Sequence, residues 1–207
     1  MTPAAEVDVA VVGAGVVGLA VAAELAAAGR SCAVLEARPR AGGVTSERNS
    51  GVVHAGLHYP ATWLRTRLCV EGARLLHAWC EARGVAHRRC GKLVIACEAE
   101  DEPELEALLA RGRAAGVEGL RILSAEETAD LEPLAVPRPA LLSPASGIVD
   151  PAELARSLAA EAAARGAAII CHAEVTGARP LERGWELATA RGTVHAERVV
   201  NAAGLLA

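Results

Sequence analysis

A short β-branched run from Val7 to Val12 leads into Gly13-Ala14-Gly15-Val16-Val17-Gly18 and then an alanine-rich stretch from Leu19 to Ala28 that stops at Gly29. The pattern predicts strand, tight turn and helix. A second apolar strand, Ser31 to Leu35, ends at Glu36, and Pro39 with Gly42 and Gly43 forces a loop. These pieces make a βαβ unit. Farther on, the pattern predicts an extended piece from Ser50 to Gly56 and a long helix from Thr62, as N-cap, to Arg83, stopped by Gly84. A strand from Cys90 to Cys97, a helix from Pro103 to Ala115 and a strand from Leu120 to Leu123 follow. Ser124 and Glu127 have the spacing of a capping box. The prolines at 133, 137, 139 and 144 leave room for one short strand. Asp150-Pro151-Ala152-Glu153 opens a helix that runs to Arg165 and stops at Gly166. The remaining apolar runs, at 168–171, 174–178, 185–188, 193–195 and 199–203, predict a meander of strands.

The regular β–α alternation is lost between Cys90 and Ile148. The expected fold is therefore an α/β, Rossmann-like dinucleotide-binding domain, residues 1–88 and 145–207, with an inserted α+β region at residues 89–144. The apolar run from Val9 to Ala23 predicts neither a leader nor a membrane span. Glu6 and Asp8 precede it, and Glu24 ends it before the roughly 20 residues a span needs.

Composition narrows the picture. The 207 residues are 52% apolar and 22% charged, with a formal net charge of -4, which is the balance of a folded chain without a basic stripe. Nucleic acid is excluded as the main partner. With no Phe and one Tyr, the core must be built from Ala, Val, Leu and Ile. The six cysteines, Cys32, Cys69, Cys80, Cys90, Cys97 and Cys171, form no C-x-x-C pair. They read as small buried hydrophobes in a reducing compartment, with no metal site. The expected location is cytoplasmic, with peripheral contact to an inner membrane as the alternative.

The candidate chemistry starts at Gly13, Gly15 and Gly18. A G-x-G-x-x-G turn after a strand and at a helix N-terminus lets backbone amides approach a pyrophosphate closely. Glu36 falls 21 residues after Gly15, at the end of the second strand, where its carboxylate can accept hydrogen bonds from a ribose. Its negative charge argues against a 2′-phosphate and so against NADP. The fingerprint alone leaves FAD and NAD both open. The segment from Thr45 to Tyr59 then gathers hydroxyls, an amide, a guanidinium and two histidines, a composition suited to a polar cofactor.

Six blocks carry a resemblance: V-V-G-A-G-V-V-G-L-A from Val11, R-N-S-G-V-V-H-A-G-L-H-Y from Arg48, R-L-C-V-E-G from Arg67, C-G-K-L-V-I-A from Cys90, G-I-V-D from Gly147 and N-A-A-G-L from Asn201. On these the chain resembles flavoenzymes of the D-amino-acid oxidase/glycine oxidase superfamily, and within it L-2-hydroxyglutarate dehydrogenases or oxidases. The resemblance implies FAD as cofactor, contacted by Thr45, Ser46, Asn49 and Ser50, with backbone at Val175 beside the adenine and Gly204 returning near the pyrophosphate. It implies oxidation of a 2-hydroxy acid, with His54 as general base, His58 as rival base or carboxylate donor, and Arg48 as the cation for a substrate carboxylate. Quinone or oxygen would be the electron acceptor. Two departures stand out: His58 replaces a usual Tyr, and chains of this family continue past N-A-A-G for about as long again. The reading that follows is a fold whose C-terminal part is missing, with a complementary C-terminal chain as a possible partner. Three alternatives remain: a glycine oxidase type, a glycerol-3-phosphate dehydrogenase type, and a non-catalytic FAD-binding fragment.

Overall fold

The computed structural model describes residues 5–207, apart from the side chain of Leu206. The chain forms two compact units. The first holds the chain through Ser50 and again Pro151–Ala207, and the second is Gly51–Asp150. These bounds differ from the expected ones, because residues 51–88 and 145–150 pack within the second unit. The strand pairing explains the shift: β3 (Val52–Val53) and β4 (His87–Arg88) both hydrogen-bond to β8 (Gly147–Val149).

In the first unit, β1 (Ala5–Val12), α1 (Val16–Ala27) and β2 (Cys32–Leu35) form the anticipated βαβ unit. The sheet order is β10-β11-β12-β1-β2-β9, where β9 is Ala168–Ile170, β10 Val175–Pro180, β11 Trp185–Thr189 and β12 Gly192–Asn201. Strands β12, β1, β2 and β9 run parallel, and β10, β11 and β12 are antiparallel. The expected meander is thus only three strands long. Strand β9 leaves it to pair with β2, and the two runs at 193–195 and 199–203 are one continuous strand as far as Asn201. Strand β12 pairs with β11 only from Gly192 to Ala196, but with β1 from Val194 to Asn201. Among the described residues, positions 197–201 therefore have a strand on one side only.

Helix α1 is apolar apart from the exposed Glu24: it buries Gly18, Leu19, Ala22, Ala23 and Ala26, and it packs against α5 (Pro151–Ala164). Helix α5 presents Ala155, Leu158 and Ala162 at helical spacing. The small side chains let helix and sheet approach closely. Full burial of Leu19 alone contributes about 1.5–3 kcal/mol.

The second unit has two three-stranded antiparallel sheets, β3-β8-β4 and β5-β7-β6, with β5 at Lys92–Ile95, β6 at Arg121–Leu123 and β7 at Ala140–Ser143. The proline-rich stretch thus holds one short strand, β7, as expected, and β8 follows just beyond Pro144. Helix α2 (Leu64–Arg83) takes Trp63 rather than Thr62 as N-cap, and the Thr66 hydroxyl turns back to donate to the Pro60 carbonyl at 2.6 Å. Its C-terminal stop is as expected, with Gly84 left-handed at φ 65°. Helix α3 (Glu102–Ala114) places Leu105, Leu108, Leu109 and Gly112 on one face, against Leu57, Val117, Leu120 and Leu141. At α4 (Ala125–Leu131) the expected capping box is present: Ser124 Oγ accepts from the Glu127 amide at 3.1 Å, and Glu127 Oε2 accepts from the Ser124 amide at 2.9 Å.

No helix among the described residues is long and apolar enough to cross a membrane. The described cysteines form no disulfide. Cys32 and Cys80 are buried, and burial pushes their thiols up, whereas Cys90 and Cys97 are exposed rather than core residues.

Candidate functional site

Each glycine of the turn has a separate steric reason to be glycine. Gly13 sits at φ +101°, donates its N–H to the Leu35 carbonyl at 2.8 Å, and lies where a Cβ would come within 2.5 Å of the Ala202 carbonyl oxygen. A Cβ on Gly18 would meet the Gly13 carbonyl oxygen at 2.0 Å, so α1 sits directly on the loop. Gly15 is the extended N-cap of α1, and a Cβ there would meet Ser46 Oγ at 3.0 Å. The helical ladder opens with the Leu19 amide donating to Gly15, so the amides ahead of Leu19 face out of the helix end.

Two side chains fix this loop. Glu36 Oε2 accepts from the Ala14 amide at 2.8 Å, and Oε1 accepts from the Arg38 amide at 2.9 Å. Ser46 Oγ accepts from the Val16 amide at 3.0 Å. The carboxylate expected at a ribose thus also braces the turn, and the hydroxyl expected at the cofactor also caps α1 from a distance. Neither brace could be read from local spacing. The Gly42 amide donates to the Ala14 carbonyl at 2.9 Å, which brings the second loop alongside the first.

The remaining residues expected at the nucleotide lie as follows. Thr45 and Ser46 form a 3-10 turn with Glu47, and Asn49 Nδ2 closes it by donating to the carbonyls of Thr45 and Ser46 at 3.2 and 3.1 Å. Thr45 and Ser50 are exposed. Val175 begins β10, two residues after Ala173, whose amide donates to the Glu36 carbonyl at 2.8 Å. Gly204 opens a 3-10 turn just after Ala202, whose amide donates to Val12 at 2.8 Å. Gly13, Gly15, Gly18, Glu36 and Ser46 are brought together, while Val175 and Gly204 each follow by two residues an amide, of Ala173 and Ala202, that bonds to the ends of β2 and β1. Arg48 shares a cleft of about 330 Å³ with Arg38, Pro39, Arg40, Gly43 and Val44, and Arg40 is paired with Glu47.

His54 and His58 belong to the second unit. His54 follows β3 and is exposed. His58 is exposed too, but its Nε2 lies 2.7 Å from Lys92 Nζ. Partial desolvation, then the charges of Lys92, His54 and Arg111, hold its pKa below the ordinary histidine range. Lys92 is a residue that motif reasoning did not single out. The available signal was compositional: it is one lysine against twenty arginines.

A family model described as DAO, FAD dependent oxidoreductase, matches residues 8–207. The chain belongs to the DAO family of FAD-dependent oxidoreductases. The chain is 46% identical over 144 residues to an L-2-hydroxyglutarate dehydrogenase, mitochondrial, of Arabidopsis thaliana, covering 70% of this chain and 30% of that protein. It is 37% identical over 172 residues to the Homo sapiens protein of the same name, covering 82% and 37%. Glycine oxidase from Geobacillus kaustophilus superposes with a TM-score of 0.88 at 30% identity, covering 98% of this chain and 56% of that one. L-alpha-glycerophosphate oxidase from Mycoplasma pneumoniae, solved with FAD bound, gives 0.86 at 28% identity, covering 94% and 53%. The chain spans between 30% and 41% of the length of these and the other curated relatives it matches.

FAD is the cofactor of the DAO family, and the residues present fit it. At Gly13 and Gly18 a side chain would strike backbone, outward-facing amides stand at the α1 end, and an acid stands at the end of β2.

Proposed function

We propose that this chain is the nucleotide-binding part of an FAD-dependent dehydrogenase or oxidase of 2-hydroxy acids, with L-2-hydroxyglutarate as substrate and 2-oxoglutarate as product. The observation that carries the reading is the glycine turn locked between Glu36 and Ser46. Such a turn presents preformed donors to a dinucleotide at no further conformational cost. The choice of substrate is supported by curated relatives at 35–46% identity that carry the L-2-hydroxyglutarate dehydrogenase name.

In this reading Gly13 lets the loop close tightly, the amides of Gly15, Val17 and Gly18 at the open end of α1 hold the diphosphate, and Glu36 accepts from the ribose. Thr45, Ser46, Asn49 and Ser50 supply hydroxyl and amide contacts, while Val175 and Gly204 contribute backbone. Bound FAD supplies the acceptor for the hydride that leaves C2 of the substrate. His54 takes the substrate hydroxyl proton, since its ring is exposed and an imidazole can act as a general base. His58 is the poorer base because Lys92 engages its Nε2. Arg48 offers a forked donor to a carboxylate, and electrons pass on to a quinone or oxygen.

The structural likeness to glycine oxidase and to L-alpha-glycerophosphate oxidase supports a second reading, a relative acting on glycine or glycerol 3-phosphate. Absorbance of the purified chain and turnover with each compound separate the cases. A flavin band with turnover of L-2-hydroxyglutarate, but not of glycine or glycerol 3-phosphate, is the expected result. A colourless chain, inert with all three, would favour the reading as a non-catalytic part that needs a complementary C-terminal chain.

A further inference from the structure

Beside the proposed base, the second unit builds a lysine–histidine contact whose role in substrate binding the oxidation reading leaves open. Lys92 opens β5, where it stands opposite Ser143 of β7. Its backbone is held by the β5–β7 pairing and, one residue earlier, by the Gly91 amide, which donates to the Ser146 carbonyl at 3.1 Å. Lys92 is itself half-buried. Its ammonium therefore has a short, directed reach, and it ends 2.7 Å from His58 Nε2.

An ammonium has three donors and no acceptor, so His58 Nε2 must accept, and the neutral ring must carry its proton on Nδ1. An arginine fork is matched to two oxygens, whereas a point donor suits the single lone pair of an imidazole. Every other cation of this chain is an arginine, and its one lysine stands here. The charged groups acting on His58 are Lys92, His54 and Arg111, with no carboxylate among them, and Arg111 is itself paired with Glu104 at 3.2 Å. A donor in a positive surrounding calls for an anion.

We infer that Lys92 is a positioning residue that holds His58 as the Nδ1–H tautomer, so that His58 donates a hydrogen bond to a carboxylate group of the substrate. This rests on the 2-hydroxy-acid reading for the identity of the carboxylate, but not for the tautomer. The division of labour that follows is a free imidazole at His54 for the proton and a committed one at His58 for the anion.

The test is long-range proton–nitrogen NMR of the imidazoles in the full chain, comparing wild type with Lys92→Met, Lys92→Arg and Lys92→Gln, with His58→Asn to assign the resonance. Wild type shows His58 as Nδ1–H. Lys92→Met loses that preference and titrates higher, and Lys92→Arg keeps the low titration while holding the tautomer less firmly. If the methionine variant does not fold, Lys92→Gln decides, since it keeps a donor without the charge: a retained tautomer with a raised titration supports the inference. Adding 2-oxoglutarate shifts the wild-type Nδ1 signal, and folded variants without the charge bind it roughly tenfold more weakly or worse. An unchanged tautomer and titration in a folded Lys92→Met chain, or an unchanged titration in Lys92→Gln, overturns the positioning role. Indifference of the wild-type signal to every carboxylate overturns the donor role. Acetate acting as strongly as 2-oxoglutarate leaves Lys92 in its role and removes the dicarboxylate from the function proposed above.

Discussion

In the first unit the groups gathered at the ends of β1 and α1 are main-chain amides, held by Glu36 and Ser46; in the second, the groups gathered at His58 are side chains, brought from β5 and α3. Amides do not titrate, and their positions depend on what keeps other atoms away. Imidazoles and ammonium groups titrate, and their state depends on neighbours. The first site should therefore answer chiefly to steric change, and the second chiefly to the charges and protonation of its neighbours.

The sharpest way to break this contrast is Gly18→Ala. Its Cβ would lie 2.0 Å from the Gly13 carbonyl oxygen, so helix and loop must separate. We expect a loss of about 2–4 kcal/mol in denaturant unfolding and the disappearance of flavin binding. A folded, yellow variant with wild-type stability would show that the backbone cradle is looser than described. Next is Glu36→Ala, which leaves the Ala14 and Arg38 amides without their acceptor. About 1.5–3 kcal/mol should be lost in thermal or urea melts, together with weaker flavin retention. Flavin loss at unchanged stability would assign the acid to the ribose alone.

The second unit offers the pH side of the comparison. His77 of α2 is 3% exposed, and neither ring nitrogen has a hydrogen-bond partner among the described residues. Burial, then the charges of Arg89 and His87, lowers its pKa from the ordinary 6.5. The unfolded chain binds the proton more readily than the folded one. The contribution is therefore whole above about pH 6.5 and is lost as pH falls toward the lowered folded value. Urea melts across this range should show stability dropping in acid, with a shallower slope in His77→Phe. Equal slopes would mean that this ring does not control the acid response. The smallest effect expected is from Ser124→Ala, which removes the cap of α4 and should cost about 1 kcal/mol, read from the same melts without any change in flavin binding.

The two units were also unequally legible. Gly13, Gly15, Gly18 and Glu36 could be found in one pass because a backbone requirement writes itself as a residue type at a fixed spacing. The Ser124–Glu127 box was readable for the same reason. Strand β4 was not, because two residues, His87 and Arg88, carry no alternation, and only their pairing with β8 makes them a strand. The departure of β9 from the meander is likewise a matter of partner choice, which local pattern does not encode. Thr62 had the right chemistry for a cap, yet Trp63 occupies the position. Lys92 and His58 lie 34 residues apart, and nothing in either neighbourhood announces the other.

The changeover along β12 has a practical consequence. Past Ala196 the strand still has β1 on one flank, while among the described residues no strand pairs with the opposite flank, and an unpaired strand edge is where an extended segment can add. Glu197 and Arg198 stand exposed at the mouth of that gap, and their charges oppose an uninvited guest. Neutralising them would turn a quiet margin of the sheet into a nucleus for precipitation.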